Sequence, residues 1–192
     1  MNMKKAGLSI EITEGHPAYR WAKRQSDSVN AMGHIGTHID CYTHEPELAV
    51  YRVEAVVVDC SVRMPSLSAI SSLNICDRAL VLYTSNLETN GYGNSRYGET
   101  STVLTQDVLD TILTMKPQFI VIDSYGIGAH GDEHIAFDKR CEACGCFVVE
   151  NVALTRHVAG HLTSVDITIH QTTASTGKRC DVVGICQVSG LG

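Results

Sequence analysis

The stretch H-I-G-T-H-I-D-C-Y-T-H, residues 34–44, holds three of the chain's nine histidines and one aspartate. His34 and His38 are four residues apart, Asp40 follows two later, and His44 lies six beyond His38. Neutral imidazole and carboxylate are the ligand types that borderline divalent metals prefer. Two histidines and a carboxylate leave positions open on the ion, as catalytic sites do. Water on zinc has its pKa lowered to about 7, which makes a nucleophile near neutral pH. Asp40 has two oxygens and can bridge two ions. Gly36 lets backbone approach closely, and Thr37 can steady a ligand through its hydroxyl. His44 reads as a further ligand or as a general acid–base group beside the metal. The competing reading is a loop of ordinary histidines, and the density of this one window argues against it. His16, His157, His161 and His170 read as ordinary residues, although the four-residue spacing of His157 and His161 also permits a metal.

The bulk of the chain limits what such a loop is for. Its 192 residues suit one domain, residues 1–192, with 44% hydrophobic and 19% charged residues. The formal net charge of -6 argues against phosphate-backbone binding, so no nucleic-acid partner is expected. No run of about 18 apolar residues offers a membrane span. The opening MNMKKAGLSIEITEG has no apolar stretch of signal-peptide length, so a cytoplasmic protein is expected. Eight cysteines, in a chain of this length, read as free thiols and mostly as small buried hydrophobes.

Five apolar runs read as strands covered on both faces: 55–60, 79–84, 118–123, 147–150 and 181–186. Thr105 is a good N-cap for a helix over 106–115, stopped by Lys116-Pro117. Asp132 or Glu133 opens a second helix to about Ala143, with Gly145 as terminator. The polar, glycine-rich segment 86–102 reads as a long loop of functional type. Alternating strands and helices favour an α/β fold.

HIGTHIDCYTH resembles the H-x-G-T-H-x-D-x-P-x-H motif of the cyclase family, whose best-known members are bacterial kynurenine formamidases and isatin hydrolases. Tyr42 stands where the family usually has proline, and Glu45 where phenylalanine often follows the last histidine. Further segments are similar. Ala55–Ser61 matches the strand after the motif, Cys76–Thr84 the "GD-x-VLI-x-T" strand, and Leu104–Asp123 the helix leading to "GID". Val148–Val152 matches "IIENL", and Thr176–Ile185 matches the closing "DG-x-P-x-R-x-x-A" strand.

The resemblance implies a swivelling β/β/α domain with a mixed sheet packed by helices, assembled as a homodimer or homotetramer. It assigns metal ligation to His34, His38, Asp40 and Glu150, with Glu150 bridging two ions, and the acid–base role to His44. Glu150 closing an apolar strand fits this independently, because a carboxylate there can face a site. The family's remaining ligand is a histidine on the helix before that glutamate, and here the register lands on Asp138. His134, four residues earlier, shares its helical face. Both can therefore point toward the same ion and either can serve, with Asp138 favoured by register and His134 its rival.

The expected cofactors are one or two divalent ions, zinc first and manganese second; mixed nitrogen and oxygen donors also suit iron. The expected activity is hydrolysis of a carbon–nitrogen bond in a small amide, formamide or lactam. Metal-activated water would attack, with His44 as acid–base. Tyr19, Trp21, Tyr42, Tyr92 and Tyr97 are candidate pocket residues, each weighed against ordinary packing. Nothing in the sequence selects kynurenine over a small aliphatic amide. Two rivals stand beside the hydrolase. One is a metal-binding or sensor protein without catalysis, suggested by Tyr42 and the missing helix histidine. The other is a thiol-based zinc or iron–sulfur site on C-E-A-C-G-C, with Cys141, Cys144 and Cys146. A second C-x-x-C is lacking, and inert packing is the preferred reading of that cluster.

Overall fold

The computed structural model describes residues 2–25, 31–170 and 175–188. Its strands are β1 (Asn2–Gly7), β2 (His38–Asp40), β3 (Val50–Asp59), β4 (Ala79–Tyr83), β5 (Phe119–Ile122), β6 (Phe147–Glu150), β7 (Leu162–Ile169) and β8 (Gly177–Val188). Its helices are α1 (Tyr19–Gln25), α2 (Leu67–Ser71), α3 (Asn86–Asn90), α4 (Ser95–Glu99), α5 (Gln106–Thr114), α6 (Asp132–Ala143) and α7 (Arg156–Ala159).

The five apolar runs form β3, β4, β5, β6 and β8. The strand order is β1-β8-β2-β6-β5-β4-β3-β7, and β7 also pairs with β8, so the mixed sheet closes on itself. β3, β4, β5 and β6 run parallel, while β2, β7 and β8 join antiparallel. This is a mixed α/β architecture with helices packed on a closed sheet.

The parallel strands are apolar on both faces because both faces are covered. Ala79, Val81, Phe119, Val121 and Val149 point inside the closed sheet with Val53, Val165 and Ile167. Leu80, Leu82, Ile120, Ile122 and Val148 point outward onto Ile70, Leu109, Ile112 and Phe137 of α2, α5 and α6.

α5 follows Thr105 as expected, but the Thr105 hydroxyl turns to the Asp107 carboxylate and makes no cap to the helix backbone. Lys116 ends that region in the left-handed conformation. α6 ends at Ala143, and Gly145 takes a φ of 71° just beyond it. The segment 86–102 departs from the loop reading, since it folds into the short helices α3 and α4. There the Asn94 side chain caps the Tyr97 amide, and Tyr97 is fully buried. β7 was legible in principle: LTSVDITI places Leu162, Val165, Ile167 and Ile169 inside.

Candidate metal centre

β2 is three residues long and entirely buried. It lies between β6 and β8, with His38 opposite Glu150 and Asp40 opposite Gly177. His38 and Asp40, two apart on a strand, share one face, while Ile39 turns into the core. Sheet register therefore brings the end of β6 to the histidine loop. α6 approaches the same place and presents His134 and Asp138 one turn apart.

The six predicted ligands converge as two groups that share Asp40. One is His34, His38 and Asp40; the other is Asp40, His134, Asp138 and Glu150. Within each, the donor atoms lie within 4.8 Å of one another. Asp40 divides its oxygens between them. Oδ1 lies 2.7 Å from His34 Nδ1 and 3.2 Å from His38 Nε2. Oδ2 lies 3.3 Å from His134 Nε2. Glu150 does likewise, with Oε2 3.6 Å from His38 Nε2 and Oε1 3.4 Å from His134 Nε2. Asp138 and His134 both belong to the second group, with Asp138 Oδ2 3.2 Å from His134 Nε2.

Surrounding contacts orient these donors. The Gly36 carbonyl can only accept, so His38 Nδ1, 2.9 Å away, carries the proton and leaves Nε2 free as a ligand. His34 Nε2 pairs with the Thr176 hydroxyl at 3.0 Å. Gly36 has a φ of 77°, and a Cβ there would sit 2.3 Å from the Ile10 carbonyl oxygen. Thr37 ties the loop to two distant segments: its hydroxyl donates to the Asn151 carbonyl at 2.8 Å and accepts from the Ile10 amide at 2.7 Å. Asn151 Nδ2 donates to the Gly36 carbonyl at 3.0 Å. Gly126, at a φ of 135°, leaves the space that His134 and Glu150 occupy; a Cβ would come within 2.5 Å of His134 Cε1 and 2.6 Å of Glu150 Oε1.

The electrostatics make this a cation site. Asp40 Oδ1, both oxygens of Asp138 and Glu150 Oε1 are buried and accept no hydrogen bond. The nearby imidazole nitrogens lie 2.7 to 3.4 Å away. Such atoms are costly to bury unpartnered, and a bound ion removes that cost. Burial alone would raise Asp40, but the imidazoles of His38, His134 and His34 hold it well below the usual carboxylate range. Burial raises Asp138 well above that range; Glu150 and Asp40 add to the rise and His134 opposes it. Burial and Asp40 raise Glu150 similarly. A divalent ion held between these two carboxyls would favour their ionised forms. The donor set fits a divalent cation.

His44 falls outside both groups. Its side chain is exposed, with Nδ1 3.0 Å from the Thr43 hydroxyl. The hydroxyl that reaches the centre belongs to Tyr42, which donates to Asp40 Oδ2 at 3.0 Å. Sequence reasoning missed the group that holds this turn. The Glu142 carboxylate accepts the amides of Tyr42 at 2.6 Å, Thr43 at 2.7 Å and His44 at 3.0 Å. Glu142 lies inside C-E-A-C-G-C, so that segment reaches the motif through its acid. Cys141 and Cys146 are buried free thiols and Cys144 is exposed. A hydrogen bond donated to Cys146, then burial, keeps the Cys141 thiol well above its usual range. Among the described residues no metal-type group includes a cysteine. Tyr92 and Tyr97 are structural: the Tyr92 hydroxyl accepts the Gly36 amide at 3.1 Å, and Tyr97 donates to Asn151 Oδ1. The Trp21 side chain lies outside the described residues.

A closed α/β sheet whose β2, β6 and neighbouring α6 gather imidazoles and carboxylates in one place defines a metal-binding α/β protein. The Cyclase family model matches residues 6–129, and the chain belongs to that family. His134, Asp138 and Glu150 lie beyond the matched residues and join the centre through the fold. A search of curated proteins returned no match.

Solved structures share the fold. A potential metal-dependent hydrolase with cyclase activity is 15% identical with a TM-score of 0.69, over 98% of this chain and 100% of that one. A predicted metal-dependent hydrolase from Bacillus stearothermophilus is 16% identical with a TM-score of 0.68, over 97% and 100%. Isatin hydrolase A from Labrenzia aggregata, bound to benzyl benzoate, is 12% identical with a TM-score of 0.69, over 97% and 94%. No helix among the described residues is long and apolar enough to cross a membrane.

Proposed function

We propose that the chain is a metal-dependent hydrolase that cleaves a carbon–nitrogen bond in a small amide, formamide or lactam. The observation that carries this reading is the pair of buried donor groups sharing Asp40, with carboxylate oxygens that no hydrogen bond satisfies. Family membership and the hydrolases that share the fold support it. Divalent ions held by His34, His38, Asp40, His134, Asp138 and Glu150 would supply Lewis acidity toward a carbonyl and lower the pKa of water.

The chain's own groups do the rest. His38, its tautomer set by the Gly36 carbonyl, presents Nε2 to the centre. Asn151 and Thr37 keep the loop and Glu150 in one frame. His44 takes the proton from water and passes it to the leaving nitrogen. Glu142 holds the backbone on which His44 stands. Eight free thiols fit a reducing compartment and hence the cytoplasm. The partner is a small molecule, and the assembly is a homodimer or homotetramer, which light scattering measures.

The test is a panel of N-formyl and cyclic amides with metal-loaded protein. Turnover is expected on at least one substrate. His44→Ala should retain metal and lose most turnover; undiminished turnover removes His44 from the mechanism. His38→Ala should lose metal while Cys144→Ser keeps it, and the reverse pattern would favour a thiol site. A second reading, metal binding without catalysis, draws on the Tyr42 hydroxyl at Asp40 Oδ2 and the exposed side chain of His44. An inert panel with intact metal loading would favour it.

A further inference from the structure

The two donor groups differ in kind. His34, His38 and Asp40 offer two imidazole nitrogens and one carboxylate oxygen. Asp40, His134, Asp138 and Glu150 offer one imidazole and three carboxylates. Imidazole suits zinc, and carboxylate suits manganese and magnesium. Asp138 makes the contrast. It stands where the family resemblance calls for histidine, it is 2% exposed, and neither of its oxygens accepts a hydrogen bond. The three carboxylates converge on one nitrogen, His134 Nε2, at 3.2 to 3.4 Å. Asp40 serves both groups with separate oxygens, so the sites can fill together without sharing a donor atom.

We propose that the centre is built for two unlike ions: a borderline cation of the zinc type at His34, His38 and Asp40, and a harder cation of the manganese(II) or magnesium type at Asp40, His134, Asp138 and Glu150. This rests on the reading of the chain as a metal-dependent protein and assigns each ion a class. Zinc outcompetes manganese at most nitrogen and oxygen sites in raw affinity. The selectivity therefore appears as a difference between the two positions in how readily zinc displaces manganese. The carboxylate-rich group narrows zinc's advantage, and the imidazole-rich group widens it.

The experiment titrates zinc into protein saturated with manganese and follows released manganese by electron paramagnetic resonance, with bound metal counted by mass spectrometry. The wild-type chain should release its two manganese ions in two steps, with zinc midpoints at least about tenfold apart, the lower end of what altering a ligand's hydrogen-bonded surroundings costs in metal affinity. Asp138→His should move the later step at least about tenfold toward the earlier one. His34→Ala should abolish the early step and keep the late one. Asp138→Asn keeps the side-chain volume and should weaken manganese retention at the late step, which guards against a histidine variant that fails to fold. A single midpoint for both ions in the wild-type chain would overturn the proposal. So would one ion per chain, or unchanged midpoints in both Asp138 variants. Metal displacement is read without substrate, so an inert hydrolase panel would count against the proposed reaction and leave this result standing.

Discussion

The two halves of the centre are held in place by different means. The half from residues 34–40 is stitched: Thr37 bonds to Ile10 and Asn151, Gly36 to Tyr92 and Asn151, and His38 Nδ1 to Gly36. The half from α6 and β6 has few such ties, and its carboxylates face one another unpaired. The first half is ordered by the chain itself. The second is ordered by packing and held under charge strain that an ion relieves.

The sharpest way to break the second half is Gly126→Ala. A methyl would press on His134 and Glu150 at a φ of 135°, with a strain of about 1–3 kcal/mol before any ion is lost. Metal counts should fall by one ion per chain while circular dichroism stays native. Asn151→Ala attacks the stitched half. Groups that orient ligands are worth about tenfold to a hundredfold in metal affinity, so calorimetry should show loss on that scale at the His34 and His38 position first.

Asp123, just past the end of β5, belongs to neither half. It is buried, its Oδ1 accepts from the Thr84 amide and hydroxyl, and burial raises its carboxyl to about 6. The unfolded chain ionises it near the ordinary value of about 3.9. Its contribution is therefore complete below that value and is lost as pH rises through about 6. At about 1.4 kcal/mol per tenfold, this amounts to about 2–3 kcal/mol between roughly pH 4 and pH 7. Denaturant titrations at the two pH values should show that decline, and Asp123→Asn should remove it. The smallest effect belongs to Tyr42→Phe, which deletes one hydrogen bond to Asp40, about 1–2 kcal/mol. Manganese affinity should change less than with Asn151→Ala.

These regions also differ in how far the sequence reveals them. His34, His38 and Asp40 stand in one window, and Glu150 closes an apolar run that forms β6. Asp138 follows from the register of the family resemblance, and His134 from its helical spacing to Asp138. Asn151, Gly126 and Glu142 escape that reading, because each acts on residues many positions away through a fold that local spacing does not encode. The dipeptide Glu150-Asn151 was the available signal for Asn151, which takes a φ of 56° in the structure. Glu142 was hidden among cysteines, whose spacing drew attention to sulfur. The strands followed the same divide. Two-sided apolar runs were plain, while three-residue β2 and the polar edge strand β1 carry little periodic signal.

The placement of β2 bears on the order of events during synthesis. Its neighbours on either side, β6 and β8, are both translated long after it. The early imidazoles and Asp40 therefore leave the ribosome with no sheet to enter and without the acids of α6 and β6. The full donor set exists only once β6 and α6 have joined β2. Premature zinc would trap the loop, so excess zinc during refolding should slow recovery of the native state.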